Sequence, residues 1–164
     1  MSYLLDANVF MAANRLHYGM DFCPAFWEWL VHQGNTGAVF SIDKIADEIK
    51  GGQDNLSDWA HSSGQHLFRR TPPTLGPQFA QVSQWATSQQ YTPAAITTFL
   101  QVADYYLVVH ALAGGHTVVT HETPSNSRGR IKIPDACIGV DVSFMTPYQM
   151  LRIEKARFVL GGRA

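Results

Sequence analysis

At 164 residues, the chain has the length of one domain and can bury enough surface to be stable without a disulfide or a structural metal. Charged residues make up 15% of the sequence, below the typical ~25%, and the net charge is −1. These values exclude a chain that binds nucleic acid through overall positive charge. No apolar run approaches the ~20 residues of a membrane span. We therefore expect a cytoplasmic protein with no membrane contact, in which Cys23 and Cys137 are reduced.

Short apolar runs alternate with helical patterns along the chain. The first predicted strand is Tyr3-Leu4-Leu5, and further strands are predicted at 38–40, 116–120 and 140–142. Helices are predicted at 21–33, 42–50 with Ser41 as N-cap, 54–63, 74–90, 93–101, 102–113, from 133 onward, and 146–160. This alternation predicts an α/β domain with a mainly parallel sheet.

Four acidic residues lie at or near the ends of these elements. Asp6 ends the first strand, and Glu122 follows the third. Glu48 lies in the helix after the second strand, and Asp104 opens the helix before the third. Singly, each has a simpler explanation, as a helix cap, an exposed helix acid or a partner of the helix dipole. Together they indicate one site, because ligands bind at the carboxyl ends of parallel strands.

Clustered carboxylates repel one another unless a cation neutralises them. Oxygen ligands of this kind suit Mg²⁺ or Mn²⁺. Such an ion can bridge a phosphodiester and activate a water molecule. Basic residues could then hold a nucleic-acid backbone, and the best placed are on the loop after Glu122, namely Arg128, Arg130 and Lys132. Other basic groups occur at 69–70 and 152–157, and a solvated surface is the simpler interpretation of each group alone.

Three motifs in sequence resemble those of PIN domains. They are LLDANVF at 4–10, IADEI at 45–49, and a helix opened by Asp104 and ended by Gly114-Gly115 that leads into VVTHE at 118–122. The segment from Lys132 to Cys137 is similar to an uncharacterised PIN-like branch, slightly longer than the VapC ribonuclease toxins.

The resemblance implies a single PIN-like domain over 1–164, with a helical insertion at roughly 53–100. Its fold would be three-layer α/β/α around a short, mainly parallel sheet of four to five strands. Its activity would be that of an Mg²⁺- or Mn²⁺-dependent endoribonuclease, the toxin of a toxin–antitoxin pair. Its partners would be RNA, a cognate antitoxin protein and a second copy of the chain. The implied catalytic and metal-binding acids are Asp6, Glu48, Asp104 and Glu122, with Asn8 and Thr120 as polar support.

Alternative interpretations stay open. A non-catalytic PIN-like module could bind nucleic acid or protein with the same fold. A phosphatase or dehalogenase-like hydrolase also places an Asp after its first strand, but it needs a basic partner in the core or a second Asp two residues on, where this chain has Asn8. Asp135 is either a further site acid or a helix cap, and we favour the cap. His110 and His116 are expected to be structural, whereas His121 lies next to a site acid.

Overall fold

A computed structural model describes residues 1–161, and its core is a five-stranded parallel sheet. The strands are β1 (Tyr3–Leu5), β2 (Val39–Ile42), β3 (Phe68–Arg69), β4 (Thr117–Val119) and β5 (Phe144–Met145), in the order β3-β2-β1-β4-β5. All residues of the central strand β1 are fully buried. Because helices cover both faces of such a strand, it reads as a continuous apolar run rather than an alternating one.

Nine α-helices in the described chain flank this sheet. They are α1 (Ala7–Ala12), α2 (Pro24–Thr36), α3 (Asp43–Lys50), α4 (Asn55–His61), α5 (Gly76–Ser88), α6 (Pro93–Phe99), α7 (Ala103–Gly114), α8 (Ile133–Gly139) and α9 (Pro147–Ile153). A π-helical segment (Ala13–His17) continues α1, and a 3₁₀ helix (Gln65–Leu67) precedes β3. The architecture confirms the predicted three-layer α/β/α, PIN-like fold.

Among the helices near the candidate site, α7 is the most deeply buried. It carries apolar residues around its whole circumference, which is typical of a helix buried on all sides. It packs against α3, α5, α8 and β4. Gly115 ends it with φ 68°, a left-handed conformation that glycine adopts without a steric penalty. Within residues 1–161 no single helix is long and apolar enough to cross a membrane, and only the bent pair of α6 and α7 meets that test together.

Several predicted boundaries were wrong. The last strand is β5 and not 140–142, where Asp141 has φ 59° and forms a turn between two buried valines. Ser41 is not an N-cap; it is a buried residue of β2 whose hydroxyl donates to the Leu5 carbonyl at 2.6 Å. Helix α2 begins at Pro24 rather than Asp21, and α9 ends at Ile153 rather than near Leu160.

Candidate active site

The carboxyl ends of the central strands open into a cavity of about 930 Å³. Its polar wall contains the four predicted acids together with Asn8, Lys44, Asp47 and Arg130. Its apolar wall comes mostly from α6 and the residues before α7, including Ala95, Phe99 and Val102. The fold therefore brings Asp6, Glu48, Asp104 and Glu122 to one place, as the order of elements predicts.

Asp6 lies at the floor of this cavity, where β1 ends and α1 begins. Its backbone N–H donates to the Val119 carbonyl, so the pairing with β4 continues to this residue. One carboxylate oxygen accepts the Ala7 N–H at 2.7 Å, and the other accepts the Thr120 hydroxyl at 2.9 Å. Asp6 is therefore a helix cap as well as a member of the site. Burial, and then the nearby charge of Asp104, raise its pKa to about 8.

Asp104 lies in the first turn of α7 and points its charge toward the same acids. Burial raises its pKa to about 6, with further contributions from the charges of Glu122 and Glu48, which the guanidinium of Arg130 partly offsets. Partial burial also raises the pKa of Glu48, on α3. Burial therefore holds the pKa values of all three carboxylates above their ordinary values, and Arg130 offsets this only in part, at Asp104.

Glu122 is held by its own partners. Arg130 donates to one carboxylate oxygen at 3.1 Å, and the Ile133 N–H at the start of α8 donates to the other at 3.0 Å. The Arg130 side chain is 64% exposed, so it lies at the mouth of the cavity. Its contact with Glu122 is the only ion pair among residues 1–161.

Thr120 and Asn8 connect these acids through hydrogen bonds. The Thr120 hydroxyl donates to Asp6 and accepts the Glu122 N–H at 3.1 Å. The Asn8 amide donates to the same hydroxyl at 3.3 Å and accepts the N–H of His121 at 3.2 Å. Thr120 therefore orients the Asp6 carboxylate and fixes the backbone at Glu122.

Except for Arg130, the other residues considered from the sequence lie outside the wall of the main cavity. Of the three basic residues on the loop after Glu122, only Arg130 lines the main cavity; Arg128 lines a separate polar cavity of about 420 Å³. Lys132 precedes α8. Asp135 is neither in the cavity wall nor a helix cap: it accepts the Ser125 N–H at 3.0 Å and fixes the loop. His110 bonds Thr71 and is buried.

Sequence reasoning missed Lys44, a cation on the cavity wall. Its ammonium lies 4.8 Å from the centre of the Tyr106 ring, and no described carboxylate approaches it within 4.0 Å. The available signal was its spacing from Glu48, since residues four apart share one face of a helix.

A divalent cation fits the chemistry of this donor set. The carboxylate oxygens of Asp6, Asp104, Glu122 and Glu48 are hard ligands of the kind that Mg²⁺ and Mn²⁺ prefer. Burial raises the pKa values of Asp6, Asp104 and Glu48, and the charges of neighbouring acids add to the rise at Asp6 and Asp104; a bound cation would favour the charged forms. In the described part of the chain, however, no three Asp, Glu, His or Cys side chains already lie close enough to hold an ion. Both carboxylate oxygens of Glu122 are bonded, to Arg130 and to the Ile133 N–H.

The strand order and the acids at the carboxyl edge define a protein of the PIN-like fold class. FitAcB from Neisseria gonorrhoeae, a solved crystal structure, is similar to this chain with a TM-score of 0.57. The likeness covers 89% of this chain and 98% of that chain at 18% sequence identity, and at this identity it concerns the fold alone. The chain belongs to the family described as a domain of unknown function, DUF4411, which matches residues 3–158. Comparison with curated proteins gave no match.

Proposed function

We propose that this protein is an Mg²⁺- or Mn²⁺-dependent endoribonuclease and the toxin of a toxin–antitoxin pair. The observation that carries the proposal is the convergence of Asp6, Asp104, Glu122 and Glu48 in one cavity, where the pKa values of three of them are raised. Clustered carboxylates with too little compensating charge cost stability, so a structural role does not explain them. The PIN-like fold and the sequence motifs favour RNA as the substrate.

A divalent ion, when bound, would supply the charge that activates water and stabilises the phosphodiester in the transition state. The chain's own residues would do the rest. Asp6, held in one orientation by Thr120 and the Ala7 N–H, would be a fixed ligand. Arg130 and Lys44 line the cavity and would bind phosphate oxygens of the RNA backbone. The expected products carry 5′-phosphate and 3′-hydroxyl ends.

The test compares RNA cleavage by the purified chain and by Asp6→Asn, with Mg²⁺, Mn²⁺ or EDTA. Asn keeps the size of the side chain but removes its charge. We expect cleavage only with a divalent ion and a loss of at least ~100-fold in Asp6→Asn, the scale seen when a group that stabilises transition-state charge is removed. Asp58→Asn, an exposed acid on α4, is the matched control and should cleave normally. Undiminished cleavage by Asp6→Asn contradicts the proposal.

The toxin role has its own test in living cells. Induced expression of the chain should arrest growth, and expression of Asp6→Asn at the same level should not. A small DNA-binding protein encoded beside this gene should restore growth when it is expressed together with the chain. Growth arrest that is equal for both chains would show that toxicity does not depend on the acidic site.

One observation favours a second function, a non-catalytic module that binds nucleic acid or protein. Glu122 already has partners for both carboxylate oxygens, Arg130 and the Ile133 N–H, so its present conformation does not offer it to a metal. Calorimetry with Mn²⁺ separates the two functions. The nuclease should bind Mn²⁺ and lose that binding in Asp104→Asn, whereas a module that does not use metal should show no saturable heat in either protein.

A further inference from the structure

A cluster of three rings lies beside the acidic cavity and plays no part in the chemistry proposed above. His17 ends the π-helical segment, His121 follows β4, and Tyr148 lies in the first turn of α9. The Tyr148 hydroxyl and the Nε2 atom of His17 are 2.9 Å apart. The three ring centres are separated by 5.6 to 5.7 Å, with tilted and edge-on orientations. We call these three residues the imidazole–tyrosine cluster.

The cluster is coupled to the acidic site through the backbone. His121 lies between Thr120, which bonds Asp6, and Glu122. Its N–H donates to Asn8, whose side chain lines the cavity. A strand of RNA that leaves the cavity on the side of His121 would therefore meet the cluster.

Packing alone does not explain why His17 is in the cluster. The adjacent Tyr18 does the packing: it stacks on Phe26 at 4.5 Å and contacts Phe158 edge-on at 5.8 Å. His17, in contrast, is exposed, and the contacts that the structure gives it are with aromatic and imidazole rings. The His17 ring, held in place by the half-buried rings of His121 and Tyr148, is available to a flat ligand.

The charge beside the cluster is positive. Arg152 is one turn along α9 from Tyr148, is exposed, and has no described carboxylate within 4.0 Å. It belongs to the basic group with Lys155 and Arg157 that the sequence contains. The acid within that group, Glu154, accepts the Tyr3 hydroxyl at 2.6 Å and is only partly exposed. Aromatic rings beside unpaired cations form the usual surface for single-stranded nucleic acid.

We infer that the imidazole–tyrosine cluster and Arg152 bind the single-stranded part of an RNA next to the cleaved bond, with a base stacked on the rings and a phosphate on the guanidinium. This inference rests on the proposed function, because it assigns the substrate of that site to single-stranded RNA. It also gives Arg152, one residue of the C-terminal basic group, a role that the acidic cavity does not provide.

The test measures binding without cleavage. A fluorescent single-stranded RNA of about 12 nucleotides is titrated with the full chain in EDTA, and anisotropy gives the Kd. His17→Ala and Tyr148→Leu should each weaken binding about tenfold, as the loss of one stacked base does. Tyr148→Phe keeps the ring and loses only the hydroxyl, so its Kd should stay within about twofold of wild type. His61→Ala, an exposed histidine on α4, is the matched control.

The outcomes of this test distinguish the inference from the proposed function. If wild type binds RNA in EDTA and the cluster variants bind more weakly, the cluster binds RNA as inferred, and a lack of cleavage with every divalent ion would then count against the proposed nuclease alone. If wild type cleaves RNA but folded His17→Ala and Tyr148→Leu bind it as tightly as wild type, the inference alone fails. Binding of duplex RNA as tight as that of single strands, or no binding of RNA in EDTA, also overturns it. Thermal unfolding of each variant confirms that it is folded.

Discussion

The two ends of strand β4 carry polar residues in very different settings. At its start, the His116 ring bonds the Ser2 hydroxyl and meets the Phe40 ring edge-on at 4.8 Å. Close by, at the start of β1, the Tyr3 hydroxyl donates to Glu154. At the other end of β4, several carboxylates share one cavity with fewer cations than acids. Polar groups that are each paired stabilise a fold, whereas charge that lacks partners indicates a place for a ligand.

The largest expected effect is a loss of catalysis, and we expect it only for changes at the carboxyl end of β4. Asp104→Asn should lower the rate of RNA cleavage at least ~100-fold, because it removes a charge from the acidic site. Its melting temperature should stay the same or rise, since the charge repels its neighbours. The matched acid at the other end is Glu154, and Glu154→Gln should keep the rate. If Asp104→Asn instead unfolds the protein while Glu154→Gln is inactive, the contrast between the two ends is wrong.

The second effect is on stability as a function of pH, without divalent ions. The pKa of Asp6 is raised from 3.8 to about 8 in the native state, so between these values the folded protein holds a proton that the unfolded chain releases. Stability from this group is therefore complete below pH 4 and is lost as the pH rises through about 8. Asp104, whose pKa is raised to about 6, adds a second loss of stability that is complete near pH 6. Relative to Asp6→Asn, wild type in EDTA should lose several degrees of melting temperature between pH 5 and 8.

Two measurements check the origin of that loss. Saturating Mn²⁺ should reduce the difference between wild type at pH 5 and at pH 8, because the ion compensates the charge of the carboxylates. His116→Ala, at the other end of β4, should not reduce this fall, because burial lowers the pKa of the His116 ring and its own contribution to stability grows as the pH rises. A parallel fall in wild type and Asp6→Asn would mean that Asp6 is not the group that titrates.

A smaller effect is expected at Lys44, which lies on the cavity wall without a described carboxylate partner. Lys44→Met should raise KM for RNA about tenfold, the loss of roughly one phosphate contact, with a smaller change in kcat. Lys50→Met, on the same helix but outside the cavity wall, is the matched control. The salt dependence of RNA binding should also become shallower in Lys44→Met, and an unchanged salt dependence would contradict this role.

The smallest effect is expected at the amino end of β4. His116→Ala should lower the free energy of unfolding by about 1 kcal/mol, because the Ser2 hydrogen bond and the contact with Phe40 are lost. Cleavage should be unaffected. His61→Ala, an exposed histidine, gives the baseline for urea titrations of both proteins. A loss of activity in His116→Ala without a loss of stability would show that the two ends are not separate.

Three of the acids, Asp6, Asp104 and Glu122, could be predicted from sequence because each lies at or beside the end of a strongly apolar element. The apolar runs of the buried strands and of α7 indicate which residues end them. Parallel pairing of the strands then brings these ends together. Asp6 and Glu122 follow this rule directly. The same reasoning predicted the parallel α/β sheet, and the structure confirms it.

Other features depend on contacts that are distant in sequence. Strands β3 and β5 have two residues each and lie at the edges of the sheet, so they have too few residues for a hydrophobic pattern. Val140 and Val142 do alternate with a polar residue and are buried, but they belong to a turn. Likewise, local sequence does not specify that Lys44 lies over Tyr106 or that Tyr148 meets His17, since each pair joins distant segments.

The ion pair between Arg130 and Glu122 makes the acidic site subject to competition. A guanidinium and a divalent ion cannot both have full use of the same carboxylate, so each would weaken the binding of the other there. If an RNA phosphate binds Arg130 and separates it from Glu122, the affinity of the acids for a divalent ion would rise. By reciprocity, the bound ion would raise the affinity of the protein for RNA by the same factor. Substrate and metal would then load cooperatively, and the empty protein would keep its acids partly neutralised by its own side chain.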